Sequence, residues 1–176
     1  VRPRLSWEMA SAARGALQSA YRIIAADSRD ALKKNEGNLW DSGNVESSQS
    51  LHVHYDGKPL CSCQQVFWKV RIWDEQGRAA RWSGTATFTM GLLDRSDWQA
   101  EWIGPYLANF PACPLLRKEF ETDGQVKRAL LHVTARGLYH VTLNGRPVTD
   151  DRLAPGWTDY DKRVHYRCYD VTSRLR

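Results

Sequence analysis

An all-β chain whose first half forms a β-sandwich is what three features of the sequence predict. Apolar residues recur at every second position, Gly, Asn and Asp clusters punctuate these stretches at short intervals, and no long helical periodicity appears. In Ser19–Ala25, Tyr21, Ile23 and Ala25 share one face. Ser28–Lys34 is a candidate for two helical turns at most, with a loop as the alternative. Leu51, Val53 and Tyr55 alternate with His52 and His54, and Val66, Trp68, Val70 and Ile72 alternate with Lys69 and Arg71, which reads as a half-buried strand with its basic residues facing water. Ala86, Phe88 and Met90 alternate with threonines. Between these strands lie Asp41-Ser42-Gly43-Asn44, Asp56-Gly57-Lys58-Pro59 and Asp74-Glu75-Gln76-Gly77, whose Gly and Asx residues supply left-handed or self-capped backbone.

The polar stretch Gly91–Asp97 breaks this series, and a domain boundary is expected there, with units at 1–93 and 98–176. In the second unit Leu131 and Val133 share a face, as do Tyr139, Val141 and Leu143. The latter stretch runs into Asn144-Gly145, the dipeptide suited to a type I′ hairpin because both central residues need positive φ. A last strand is expected within Val164–Val171, and the sequence then ends in DVTSRLR with no closing strands. So few strands bury too little surface to be comfortable alone, so the second unit is expected to continue past Arg176. The start at Val1, without an initiator Met or an apolar leader, has the look of a fragment boundary.

Composition narrows the function classes. Of 176 residues, 26% are charged and 42% hydrophobic, an ordinary globular balance. The net charge of +5 is dispersed without a basic run, which argues against nucleic-acid binding, and no apolar stretch is long enough for a membrane-spanning helix. Cys61, Cys63, Cys113 and Cys168 form neither CxxC pairs nor a disulfide framework, so redox compartment stays open. The eight Trp are the unusual feature: they suit either a sandwich core or a surface that stacks on a ligand. Trp7, Trp40, Trp68, Trp73 and Trp82 are expected to fill the first core. Trp157, in the Pro-Gly-Trp-Thr loop, is the strongest candidate for an exposed aromatic, although large aromatics more often anchor loops by burial.

No GxSxG, HExxH, P-loop, GxGxxG or zinc-ribbon pattern is present, and no catalytic residue is assigned. His52 and His54 have no third ligand at fixed spacing and read as ordinary strand residues. Asp150, Asp151, Asp159, Asp161 and Asp170 cluster in sequence but sit among Lys162 and Arg163 in loops, so solvated turns are the leading reading. The alternative is a calcium site, for which Asn144, Asp150 and Asp151 are the first candidates; no cofactor is otherwise required.

Taken in order, RLSWEM (Arg4–Met9), SAYRIIAADS (Ser19–Ser28), LWDSGNVES (Leu39–Ser47), FWKVRIWDEQG (Phe67–Gly77) and DWQAEWIG (Asp97–Gly104) resemble the N-terminal part of bacterial α-L-rhamnosidases of glycoside hydrolase family 78. The likeness continues through ARGLYHVTLNGRPV (Ala135–Val148), LAPGWTDYDKRVHY (Leu153–Tyr166) and YDVTSRL (Tyr169–Leu175). The resemblance implies a fibronectin type III-like or immunoglobulin-like sandwich followed by the beginning of a jelly-roll-like, carbohydrate-binding sandwich. It also implies that hydrolysis of terminal α-L-rhamnose belongs to a downstream (α/α)6 barrel, none of which is present. The expected role is a non-catalytic accessory fragment, its partners a rhamnose-containing glycan and the downstream barrel. A free-standing rhamnose-binding protein, with Trp157 or Tyr160 stacking on a sugar and Asn144 reading hydroxyls, is one alternative; a fibronectin-type interaction module is another.

Overall fold

The computed structural model describes residues 1–105 and 113–175. It divides into two compact units, Val1–Gln99 and Ala100–Arg176. In the first, β1 (Arg4–Leu5), β2 (Gln18–Ala26), the short helix α1 (Arg29–Lys33), β3 (Trp40–Asp41), β4 (Val45–Glu46), β5 (Val53–His54), β6 (Gln65–Asp74) and β7 (Ala86–Thr89) follow in order. The central sheet runs β3-β2-β6-β7 with β4 also on β2, all antiparallel, while β1 pairs with β5 in a second layer.

Register explains the core. Along β2 and β6, Tyr21, Ile23 and Ala25 stand opposite Ile72, Val70 and Trp68. This face packs on Leu5, Val53 and Tyr55, with Trp7, Trp40 and Trp68 half-buried around it. Tyr55 seats its ring edge-on to Trp40, with centroids 5.2 Å apart, and its hydroxyl lies 3.2 Å from the Leu39 carbonyl and 3.0 Å from that of Lys58. Gly57 sits against that hydroxyl: a Cβ there would come within 2.5 Å of it and 2.4 Å of the Leu39 carbonyl oxygen.

The opposite face departs from the alternation expected of β6. Lys69 is buried, only 8% exposed. Helix α1 forms from Ser28–Lys34 because Ser28 caps the Ala31 amide and Leu32 drops onto Ile24 and Ala26. The Lys69 ammonium then donates to the Leu32 carbonyl at 2.7 Å and to Asn35 Oδ1 at 2.8 Å, with the Trp82 ring centroid 5.2 Å away. Burial, and then the neighbouring Arg71 charge, hold its pKa below the ordinary lysine value. The Leu51–Tyr55 stretch also differs from its expected pattern: Leu51 is 61% exposed and His52 has positive φ, so only Val53–His54 is strand.

The second unit holds β8 (Leu130–Thr134), β9 (Thr142–Leu143), β10 (Arg146–Pro147) and β11 (Tyr166–Asp170). β8 and β11 pair antiparallel from Tyr166 opposite Thr134 to Asp170 opposite Leu130. β9 and β10 form the hairpin expected at Asn144-Gly145, whose φ values of 51° and 75° are both left-handed. The alternating stretch of Tyr139, Val141 and Leu143 is strand only at Thr142–Leu143, because Leu138 turns outward and Tyr139 is drawn into a bond with a loop. Among the described residues no disulfide joins Cys61, Cys63, Cys113 or Cys168.

Candidate functional site

Among the described residues, the loop between β10 and β11 carries the most exposed aromatic ring of the second unit. Its base is fixed by Ala154 and Pro155, both buried and joined by a cis peptide bond. The Tyr139 amide donates to the Ala154 carbonyl at 3.0 Å, tying the loop to the segment that precedes β9. Beyond Trp157 the chain closes on itself. The amides of Lys162 and Arg163 donate to the Asp159 carbonyl, the Thr158 hydroxyl donates to the Arg163 carbonyl at 2.6 Å, and Lys162 pairs with the Asp159 carboxylate at 3.0 Å.

Trp157 stands in this braced loop 76% exposed. The anchoring role that aromatic burial favours is therefore not what Trp157 does; Ala154 and Pro155 supply the buried plug in its place. An indole held out by a closed loop loses little conformational freedom on meeting a flat apolar ligand face. Tyr160 is half-buried and its hydroxyl accepts the Gly137 amide at 2.7 Å, which makes it a brace of the loop.

A polar chain lies behind the loop. The hydroxyls of Tyr139 and Tyr169 are 3.0 Å apart, and Tyr169 donates to Asp151 Oδ2 at 3.1 Å. Since Tyr169 gives its proton to Asp151, Tyr139 donates in turn to Tyr169, and both phenols orient the exposed carboxylate. Burial, reinforced by the contact with Tyr169, pushes the Tyr139 phenol well above its ordinary pKa, so it stays protonated as a donor. Asp150 is exposed and outside this chain. Asn144 occupies the hairpin turn and donates its amide to the Arg174 carbonyl at 2.9 Å. Tyr139 and Tyr169 are the residues that sequence reading missed; each looked like an ordinary strand aromatic, and only the pairing of distant segments joins them to Asp151.

A calcium ion takes about six to eight oxygen ligands. Here Asp151 is engaged by Tyr169, and among the described residues no three His, Cys, Asp or Glu side chains gather as a metal-binding group. Asp151 and Asn144, each already held by a protein partner, do not on their own supply that many ligands. Among the described residues no helix is long and apolar enough to cross a membrane.

Residues 1–94 match the family described as "Rha78A-like, N-terminal immunoglobulin domain", and residues 124–176 match "Alpha-L-rhamnosidase N-terminal domain". An alpha-L-rhamnosidase of Formosa agariphila is 42% identical over 99% of the chain, which spans 20% of that protein's length. The solved alpha-L-rhamnosidase of Dictyoglumus thermophilum superposes with a TM-score of 0.88 at 34% identity, covering 99% of this chain and 21% of that one. The Streptomyces avermitilis alpha-L-rhamnosidase complexed with L-rhamnose matches with a TM-score of 0.55 at 29% identity, covering 99% of this chain and 19% of that one.

Proposed function

The chain belongs to the Rha78A-like, N-terminal immunoglobulin domain family, and from that premise we propose that it serves as the non-catalytic N-terminal accessory part of an α-L-rhamnosidase, an enzyme that hydrolyses terminal α-L-rhamnose. The observation that carries this reading is the pair of consecutive N-terminal matches together with relatives in which the chain accounts for about a fifth of the length. The chemistry belongs to the other four-fifths, in a downstream (α/α)6 barrel, and the two units here support that barrel and present substrate to it.

In this reading the second unit holds a rhamnose-containing glycan. The exposed Trp157 ring stacks on the apolar face of the sugar, and Asp151, oriented by Tyr169, accepts from its hydroxyls. Asn144 and Asp150 stand outside this pair, and calcium is not needed for it.

Two measurements test the proposal. The 176-residue chain should show no turnover of p-nitrophenyl α-L-rhamnoside, whereas a version extended by the remaining length of its relatives should; turnover by the short chain refutes an accessory role. Titration with L-rhamnose, with and without calcium, should give a saturable change in Trp fluorescence that Trp157→Ala abolishes. A response that survives this substitution places the sugar elsewhere.

A further inference from the structure

The outer face of the first unit's sheet holds more positive charge than it neutralises. On β2 and β6, Arg22 and Arg71 are directly opposite one another, and Lys69 follows two residues along opposite Ile24. Arg29, from α1, lies over the Phe67 ring at 5.1 Å. The carboxylates that strand register assigns to this face are Asp41 and Glu46, opposite Ile24 and Ala20. Asp41 is already taken: Arg22 grips it side-on, Nε donating to Oδ1 at 2.9 Å and Nη2 to Oδ2 at 2.6 Å. This contact holds the Asp41 carboxyl below the usual carboxylate range.

Arg71 presents the same fork without the same partner. Its guanidinium lies over Trp82, 5.3 Å from the ring centroid, and its Nε–H is buried with no hydrogen-bond acceptor. A buried donor left without an acceptor costs free energy that a new acceptor recovers. Lys69 cannot supply one, because its ammonium is a donor too and is committed to Leu32 and Asn35.

We propose that this face is an oxyanion site, in which Arg71 swings from Trp82 to give its Nε and Nη2 edge to a carboxylate or sulfate group carried by a sugar, as Arg22 does for Asp41. The side-on guanidinium edge matches two oxygens of one acidic group. The added negative charge also offsets the repulsion between Arg71 and Lys69. The site is separate from the Trp157 loop and stands or falls independently of rhamnose binding there.

The test is a titration of the ¹⁵N-labelled 176-residue chain, following the arginine Nε–H resonances. The Arg71 signal is identified by its loss in Arg71→Lys. The probes are sodium D-glucuronate and D-glucose 6-sulfate, with D-glucose and sodium chloride at matched ionic strength as controls. A saturable shift of the Arg71 signal with either acidic sugar, absent with both controls, is the expected result, and the tighter of the two identifies the oxyanion. Because the variants lack the Arg71 signal, their affinity is read from the shifts of neighbouring backbone amides, and Arg71→Gln should weaken binding by about tenfold or more. Arg71→Lys, which keeps the charge and loses the fork, should also weaken it and decides the matter if the glutamine variant does not fold. A shift that never saturates, one reproduced by sodium chloride, or affinity unchanged in both variants overturns the proposal.

Discussion

The two units spend their apolar residues differently. In the first, Ile23, Ile24, Leu32 and Val66 are essentially sealed from water: long paired strands set Ile23, Ile24 and Val66 on the two faces of one sheet, and α1 lays Leu32 over one of them. In the second, the buried residues among those described are few, Val148, Ala154, Pro155 and Val171, while Leu115, Leu116, Phe120, Leu138, Leu153 and Trp157 are exposed. The first unit is built around its own core. The second is built around braced loops, hydrogen bonds and a two-residue hairpin turn, and it presents apolar surface outward. A region that stores its stability in packing tolerates little change in volume, whereas one that displays side chains can lose a large ring at little structural cost.

That contrast can be broken most forcefully at Ile23, which is fully buried. Ile23→Ala should destabilise the first unit by about 2–5 kcal/mol, read as a lower urea midpoint. A loss below about 1 kcal/mol would mean that the core is loosely packed. Next in size is Gly57→Ala, whose new methyl group meets backbone and the Tyr55 hydroxyl together. The expected cost is about 1–3 kcal/mol, with the Tyr55–Leu39 contact weakened.

Lys69→Met tests the buried cation, keeping the apolar stem while removing the bonds to Leu32 and Asn35. Because the folded pKa of Lys69 is depressed, keeping it charged opposes folding at neutral pH. That penalty is relieved as pH rises through the depressed folded value towards the ordinary lysine range. In the wild type this contribution to stability therefore rises with pH over that window, and it is absent from Lys69→Met. Difference titration of the two proteins by calorimetry isolates it from the tyrosines. Identical pH profiles would show that Lys69 titrates as if exposed.

A smaller effect is expected at Asp41→Asn. Its carboxyl, held low by Arg22, contributes stability that is present above the ordinary Asp range and lost as pH falls through the lowered folded value. The pair is well exposed, so the loss at neutral pH should stay below about 1 kcal/mol and the acid limb of the stability profile should flatten. At the bottom of the scale stands Trp157→Ala in the second unit. Its effect on stability should lie within about 0.5 kcal/mol, while the fluorescence response to L-rhamnose disappears. A large drop in thermal stability would return Trp157 to the role of loop anchor.

Much of this architecture was legible in the residues. Tyr21, Ile23 and Ala25 face the core as their alternation requires, and Asn144-Gly145 makes a tight hairpin because both positions need left-handed backbone. The candidate site was half legible. Trp157 stood out by its setting after Pro-Gly, but the spacing of Asp150 and Asp151 said nothing of which carboxylate would meet a phenol.

What the sequence by itself determined is therefore whatever depends on near neighbours: strand faces, turn chemistry and the family to which the ordered motifs belong. Tertiary structure alone decided the burial of Lys69, the exposure of Trp157, the Tyr139–Tyr169–Asp151 chain and the Arg71 donor without an acceptor. Each of these depends on what a distant segment places above or beside a side chain. Burial and hydrogen bonding are properties of that assembled environment, and local periodicity carries no record of it.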